Sequence, residues 1–279
     1  VNENQEGRGP CYLRTEGISQ EASEDLKKAY LNMAPSQTLK WIESGKNPSE
    51  QNVEIEGTEP YIVGGHTASG YWVDTKRRTT VKGLYAAGDV AGGCPQKYVT
   101  GALAEGEIAA LTAISELGEI SAIDESDIER HLSEVTDFLY GNIDGTFTTE
   151  QLEEAMQTVM DSYAGGIKTN YRFNEKQLDI ADTKIRQIYQ LSEKLHAEDF
   201  RELMYIYELR ERLVVARSVI AHLKARKETR WHSFAENLDY PNKDNENFNK
   251  YVNSRLKDGE IEIILRDLVE GGRTYEHND

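Results

Sequence analysis

The 279-residue sequence contains only two cysteines, Cys11 and Cys94. Two thiols exclude a disulfide-rich scaffold and a cysteine-rich iron–sulfur or zinc site within the chain. We therefore expect reduced thiols in a cytoplasmic protein, and we predict no metal site. Long apolar runs are also missing, and the mean hydropathy is −0.65. Because a membrane-spanning helix needs roughly 20 apolar residues, the sequence predicts no membrane span.

Positive charge is scarce as well, since 32 Lys and Arg face 49 Asp and Glu and leave a net charge of −17. Nucleic-acid-binding proteins need a basic face to neutralise phosphates, so this class of function is excluded. The charge also means that a small anionic substrate would have to be bound by a few local groups. Hydrophobic residues make up 38% of the chain, which is enough to fill a core.

Glycine is unevenly distributed, because residues 1–120 contain 15 of the 22 glycines. Glycine-rich sequence suits turns and close backbone approach to ligands, whereas glycine-poor, charge-rich sequence suits helices. We therefore predict a boundary near residue 120. The chain begins with Val1 rather than methionine, and we expect a processed or truncated product.

Apolar periodicity predicts most of the regular structure. Ser19 is expected to cap a helix that Pro35 interrupts, and the alternating Val53–Glu56 is expected to form a strand. Beyond residue 120 the pattern predicts an antiparallel helical bundle followed by a late strand at Ile261–Leu265. Its helices are predicted at 125–139, 149–161, 174–196 and 199–228.

The sharpest motif begins with the apolar segment Val81–Ala87, which we predict to be a buried strand. It ends at Gly88 and Asp89, and a glycine-containing loop leads to a helix predicted from about Val99 to Leu117. An acid in this position accepts hydrogen bonds from sugar or polyol hydroxyls, and a helix N-terminus presents free N–H groups to an electron-rich ligand. The spacing favours a site for a nucleotide-like cofactor, with an ordinary strand–turn–helix as the alternative.

This motif resembles the second FAD-binding motif of the fumarate reductase and succinate dehydrogenase flavoprotein superfamily. The resemblance is closer to the alpha subunits of adenylylsulfate reductases, and it covers nearly the whole chain. The blocks that carry it are Glu6–Pro10, Thr58–Tyr61, Gly64–Val73, Gln96–Gly106, Ala225–Trp231 and Leu238–Pro241. The G-x-G-x-x-G fingerprint with which this superfamily holds the FAD pyrophosphate is missing here. The chain therefore resembles the C-terminal portion of such a flavoprotein, and its N-terminal half would be a separate polypeptide or would have been removed.

The resemblance implies an α+β fold with three parts. Residues 1–55 would be a remnant of the capping or substrate domain. Residues 56–120 would be the C-terminal part of an FAD-binding α/β domain, and residues 121–279 would be the helical C-terminal domain.

The resemblance also implies site residues. Asp89 would bind the ribityl hydroxyls of FAD, and the segment 97–102 would lie at the isoalloxazine edge. His66 and Lys97 would be catalytic, with His66 directed toward the substrate and Lys97 supplying positive charge for an anion. The implied cofactor-binding residues are Gly65, Gly88, Asp89, Lys97, Tyr98, Val99, Thr100, Gly101 and Ala102.

The resulting hypothesis is an FAD-dependent oxidoreductase subunit that reduces adenylylsulfate to sulfite and AMP. Its iron–sulfur clusters would reside only in a beta partner subunit, and the isolated chain would be inactive without the N-terminal half. A fumarate reductase, succinate dehydrogenase or aspartate oxidase relative is the second hypothesis, which Lys97 disfavours because those enzymes have arginine there. A non-enzymatic helical module that docks a partner is the third.

Overall fold

The computed structural model describes residues 3, 6–33, 35–55, 70–92, 99–118, 125–143, 145, 147–230 and 236–269. The chain divides into two compact units, Val1–Pro60 and Tyr61–Asp279. The first unit contains a two-stranded antiparallel sheet and two helices. Its elements in chain order are β1 (Cys11–Leu13), α1 (Gln20–Met33), α2 (Pro35–Ser44) and β2 (Val53–Ile55).

The first unit contains the helices and the strand that its sequence predicts, whereas β1 was not predicted. The hydroxyl of Ser19 accepts a hydrogen bond from the amide of Ala22 at 3.1 Å, which confirms the predicted cap of α1. Pro35 starts α2 and thereby interrupts the helical pattern, because proline lacks an amide donor but fits the first helical turn. Trp41 is buried, and its ring meets that of Tyr30 edge-on at a centroid distance of 5.2 Å.

The second unit is mainly helical. Its elements are α3 (Val99–Ser115), α4 (Glu125–Thr136), α5 (Thr149–Tyr163), β3 (Arg172–Phe173), α6 (Glu175–Ser192), α7 (Phe200–Ala225), β4 (Glu236–Asn237), α8 (Asn245–Phe248), β5 (Lys250–Lys257) and β6 (Glu260–Asp267). A single π-helical turn, Asp137–Gly141, continues α4. The predicted helices are thus confirmed to within a few residues at their ends.

A hydrophobic core joins α5, α6 and α7 in the second unit. These three helices pack against one another, and the longest of them, α7, extends over 26 residues. The core side chains are Phe138, Leu152, Val159, Phe173, Leu178, Ala181, Ile185, Ile188, Leu195, Ala197, Leu203, Ile206, Leu209, Leu213, Ala216 and Ile220. Burial of this apolar surface is the main force that stabilises the bundle.

A β-hairpin packs against α7. β6 confirms the predicted strand at Ile261–Leu265, and its antiparallel partner β5 was not predicted. Asp258 and Gly259 connect the strands with positive φ angles of 51° and 78°, which is the geometry that an Asp-Gly hairpin turn requires.

A buried carboxylate fastens the chain beyond α7. Glu228 accepts hydrogen bonds from Arg226 and Arg230 at 2.7 Å and from the amide of Asp244 at 2.8 Å. Burial alone would raise the pKa of Glu228, but the hydrogen bonds from Arg230, the Asp244 amide and Arg226 outweigh it and lower the pKa. Glu228 is therefore ionised, and it holds the chain that follows α7 against the amide of Asp244 at the start of α8.

Within the described ranges, no helix combines the length and the apolar character that a bilayer crossing requires. The same ranges contain no cluster of three or more His, Cys, Asp or Glu side chains placed to hold a metal ion.

Candidate functional site

The chain ahead of the candidate site forms a turn, and the prediction of a buried strand at Val81–Ala87 is wrong. The amide of Leu84 donates to the carbonyl of Val81 at 3.0 Å, and Gly83 has a φ of +78°. This hydrogen bond and the left-handed glycine reverse the chain direction, and the apolar side chains of Val81 and Leu84 remain exposed. Apolar character alone was therefore a misleading strand signal.

The segment Tyr71–Val73 forms no regular strand, and it makes a single β-bridge between Tyr71 and Ala91. The amide of Tyr71 donates to the carbonyl of Val90 at 2.7 Å. A Cβ atom on Gly70 would lie 2.6 Å from the same carbonyl oxygen, so only glycine fits there. The bridge holds the chain at residue 71 against the Gly88–Val90 turn.

The 3-10 turn Gly88–Val90 lies against the first turn of α3. Gly88 has a φ of +71°, and a Cβ atom on it would lie 3.1 Å from the Cβ of Ala102. Both the backbone angle and the close approach favour glycine at this position. Asp89, the next residue in the turn, is exposed. The structure thus brings Gly88, Asp89 and the beginning of α3 together, as the motif predicted.

The beginning of α3 is open to solvent. Val99 is 75% exposed and Thr100 is exposed, while Gly101 and Ala102 are half-buried. The first four N–H groups of a helix have no acceptor within the helix, and the helix dipole adds partial positive charge there. The start of α3 beside Asp89 therefore offers hydrogen-bond donors to an electron-rich ligand.

Glu105 connects α3 to the Gly88–Val90 turn. It is only 4% exposed, and its Oε2 accepts a hydrogen bond from the amide of Gly88 at 3.0 Å. Its Oε1 lies 3.1 Å from Nη2 of Arg77 in an ion pair. Glu105 belongs to the block Gln96–Gly106 that carries the resemblance, but its contact with Gly88 was not predicted from the sequence. A lone acid among the small and apolar residues of the second helical turn was the available signal.

A second buried acid, Asp74, organises the preceding loop. Its Oδ1 accepts hydrogen bonds from the amides of Lys76 at 2.8 Å and Arg78 at 3.0 Å, and its Oδ2 accepts from Nε of Arg78 at 2.8 Å. Arg78 also lies 3.5 Å from Glu116 at the end of α3. The hydroxyl of Tyr85 donates to Glu116 at 2.7 Å, and this hydrogen bond raises the pKa of Tyr85. Polar contacts therefore connect the loop to the second turn of α3 through Glu105 and to its C-terminal end through Glu116.

Four predicted site residues, Gly65, His66, Lys97 and Tyr98, lie outside the described residues. The six others are Gly88, Asp89, Val99, Thr100, Gly101 and Ala102, which meet where the Gly88–Val90 turn contacts α3. The individual roles assigned to all ten residues stay predictions.

Comparisons with known proteins confirm the resemblance. Residues 153–271 match the family described as fumarate reductase flavoprotein C-term. The adenylylsulfate reductase subunit alpha of Megalodesulfovibrio gigas is 26% identical to this chain. The match covers 91% of this chain and 46% of that protein.

Solved structures agree with this finding. Adenylylsulfate reductase from the hyperthermophilic Archaeoglobus fulgidus is 30% identical, with a TM-score of 0.78 over 96% of this chain and 49% of that chain. Quinol fumarate reductase FrdA of E. coli is 18% identical, with a TM-score of 0.65 over 99% of this chain and 48% of that chain, so this likeness shows the fold alone. The chain thus spans about half the length of these proteins. Its α+β fold is that of their C-terminal region.

Proposed function

Starting from this resemblance, we propose that the chain forms the C-terminal portion of an FAD-dependent oxidoreductase of the adenylylsulfate reductase type. One observation carries the proposal: the Gly88–Val90 turn, with Asp89 exposed, lies directly against the first turn of α3. The identity to adenylylsulfate reductases, 26% to 30%, exceeds the identity to the fumarate reductase, 18%, and favours this reaction type.

The residues present fit FAD. Gly88 lets the backbone approach closely because a side chain there would meet Ala102. The Asp89 carboxylate would accept hydrogen bonds from the ribityl hydroxyls. The N–H groups at the start of α3 would face the pyrimidine edge of the flavin, where they favour negative charge. When bound, FAD supplies two-electron redox chemistry that amino-acid side chains lack.

His66 and Lys97 complete the proposed site at the substrate end. Lys97 would provide a point charge for an anionic substrate, in place of the bidentate grip of an arginine on a carboxylate. His66 would donate a hydrogen bond to a substrate oxygen and would transfer a proton as a general acid or base. These roles fit reduction of adenylylsulfate to sulfite and AMP.

The proposed protein needs a partner for the other half of its flavin site. The chain spans about half the length of its relatives. One face of α3 carries Val99, Leu103 and Ile114, which are between 65% and 75% exposed. We assign this apolar face to packing against the N-terminal half of the flavoprotein.

The proposed chain would then have three parts. The cap remnant would be residues 1–55, the closing part of the FAD domain residues 56–120, and the helical domain residues 121–279. An iron–sulfur beta subunit would supply electrons, and the complex would be cytoplasmic.

A fumarate reductase activity is the second candidate, because residues 153–271 match that family. Both candidates are tested with the complete flavoprotein and its beta subunit under reduced viologen. We expect viologen oxidation with adenylylsulfate and none with fumarate. Oxidation with fumarate alone would instead favour the second candidate.

The FAD assignment has its own test. Asp89→Asn in the complete flavoprotein is expected to weaken FAD binding at least about tenfold, because charged hydrogen bonds contribute about 1.5–3 kcal/mol each. Asp258→Asn, the same change in the exposed β5–β6 turn, is the matched control and should retain FAD. A complete flavoprotein without absorbance near 450 nm would contradict the assignment, and the isolated helical module would become the better reading.

A further inference from the structure

We infer that Glu105 is a positioning residue for FAD: it holds the turn that carries Asp89 in register with the N-terminus of α3. This inference rests on the proposed function, since the ligand being positioned is FAD. Glu105 does not itself reach the proposed cofactor-binding face, because its side chain is buried behind the turn.

The two carboxylate oxygens of Glu105 make different contacts, because only Oε2 accepts a hydrogen bond, whereas Oε1 makes an ion pair alone. Oε2 accepts the Gly88 amide at 3.0 Å, and Oε1 lies 3.1 Å from the Arg77 guanidinium. A buried carboxylate is costly unless it is paired and hydrogen-bonded, so this arrangement requires both partners together. Arg77 in turn donates to the carbonyl of Asp74 at 3.2 Å and so connects Glu105 to the loop framework.

Glu105 acts at the residue where orientation matters. Gly88 immediately precedes Asp89, and its φ of +71° fixes the direction in which the backbone enters the Gly88–Val90 turn. Ala102, one helical turn before Glu105, limits how closely Gly88 approaches α3. The helix thus touches the turn at two positions one helical turn apart, at Ala102 through a steric contact and at Glu105 through a hydrogen bond. Together these contacts set the Asp89 carboxylate and the α3 N–H groups relative to each other.

The chain contains a matched buried glutamate that lies outside the candidate site. Glu228 also accepts a backbone amide, that of Asp244, and also pairs with arginines, Arg226 and Arg230. Its side chain is fully buried. Glu228→Gln therefore produces the same chemical change in a similar environment. It separates an effect on FAD positioning from a general loss of stability.

The experiment uses the complete flavoprotein and measures FAD affinity, the visible circular dichroism of bound flavin at saturation, and thermal unfolding. Glu105→Ala removes both contacts and is expected to weaken FAD binding about tenfold or more and to change the flavin dichroism. Glu105→Gln keeps an acceptor for Gly88 but leaves the Arg77 cation unpaired, so we expect an intermediate loss. Adding Arg77→Gln removes that cation and should restore FAD affinity to within about threefold of wild type. Glu228→Gln should lower the unfolding temperature while leaving FAD affinity and flavin dichroism unchanged.

The outcomes separate the two levels of the argument. Wild-type FAD affinity and dichroism in Glu105→Ala would overturn the positioning role while leaving the flavoprotein assignment intact. Equal changes in flavin dichroism for Glu105→Gln and Glu228→Gln would also overturn it, because the effect would then be a general loss of stability. A wild-type complete protein that binds no FAD would overturn the proposed function, and the inference would fall with it.

Discussion

The helical bundle and the candidate site, both within the second unit, are stabilised by different forces. The bundle buries large apolar side chains, including Leu178, Ile206 and Leu209, without exposed surface. The buried side chains of residues 70–92 and 99–118 are small or polar: Asp74, Thr79, Ala86, Ala91, Glu105 and Thr112. One region therefore depends on apolar packing, and the other depends on a few hydrogen bonds and ion pairs.

This difference explains how the two regions respond to change. Apolar packing is distributed over many weak contacts and depends on volume, so the bundle is sensitive to cavities. A buried hydrogen bond or ion pair is directional, and loss of one partner leaves the other unsatisfied. Single polar residues therefore determine the orientation of the candidate site, whereas the stability of the bundle depends mainly on its apolar side chains.

The largest effect is expected from a cavity in the bundle. Leu209→Ala removes a fully buried side chain of α7 and should lower the free energy of unfolding by about 2–5 kcal/mol. Met204→Ala, on the same helix but at a 49% exposed position, is the control and should cost well below half as much. Urea denaturation followed by far-ultraviolet circular dichroism measures both. Equal losses would mean that packing of this core does not dominate bundle stability.

The next effect is local to the candidate site. Asp74→Ala leaves the amides of Lys76 and Arg78 without their acceptor, a loss of about 1–3 kcal/mol of local stability. Trypsin cuts after lysine and arginine, so cleavage at residues 76–78 should rise at least several-fold, while the urea midpoint of the bundle stays unchanged. Asp127→Ala, at an exposed acid of α4, should change neither quantity. A lowered urea midpoint in Asp74→Ala would show that the two regions are not independent.

A smaller effect distinguishes two glycines with nearly the same backbone conformation. Gly83 and Gly88 have φ angles of +78° and +71°, so alanine at either position adds a similar strain of about 1–2 kcal/mol. Only Gly88→Ala also places a Cβ atom 3.1 Å from Ala102, whereas the space around Gly83 is open. Gly88→Ala should therefore increase tryptic cleavage at residues 76–78 and weaken FAD retention more than Gly83→Ala does. Equal cleavage and equal FAD retention in the two variants would mean that the Ala102 contact does not contribute to the geometry of the site.

The sequence predicted the bundle better than the candidate site because long helices have a strong local signal. The apolar spacing of Leu203, Ile206, Leu209 and Leu213 identifies the buried face of α7 without knowledge of its neighbours. β5 was missed because its residues are mostly polar and its pairing is set by β6. The Asp258–Gly259 turn between them was a hairpin signal that the sequence did contain.

The sequence indicated the local turn–helix geometry of the candidate site but not the contacts that support it. The motif identified Gly88, Asp89 and the start of α3 because turn glycines and helix starts are local features. Glu105 meets Gly88 across 17 positions of sequence, and no periodicity encodes such a contact. The wrong strand at Val81–Ala87 has a similar origin, since an apolar run does not report whether the fold provides a surface to cover it.

The smallest effect concerns pH, and it should affect the bundle alone. Burial, and secondarily the nearby charge of Arg226, lower the pKa of His222 below its usual value of 6.5. Its Nε2 lies 2.9 Å from the hydroxyl of Ser254, which joins α7 to β5. Below pH 6.5 the unfolded chain therefore binds a proton that the folded bundle excludes. The stability contribution of neutral His222 is present above pH 6.5 and is lost as the pH falls.

The matched variant for this prediction is His222→Gln, which keeps a polar side chain near Ser254 but cannot titrate. Urea midpoints measured from pH 7.5 to pH 5.5 should fall less steeply for the variant than for wild type. His131, on the exposed face of α4, is present in both proteins, so any contribution from it cancels in the comparison. Residues 70–92 and 99–118 contain no histidine, so tryptic cleavage at residues 76–78, compared between the two proteins at each pH, should not differ. Parallel slopes would mean that His222 becomes protonated without cost in the folded bundle, and a difference in cleavage would couple the hairpin to the candidate site.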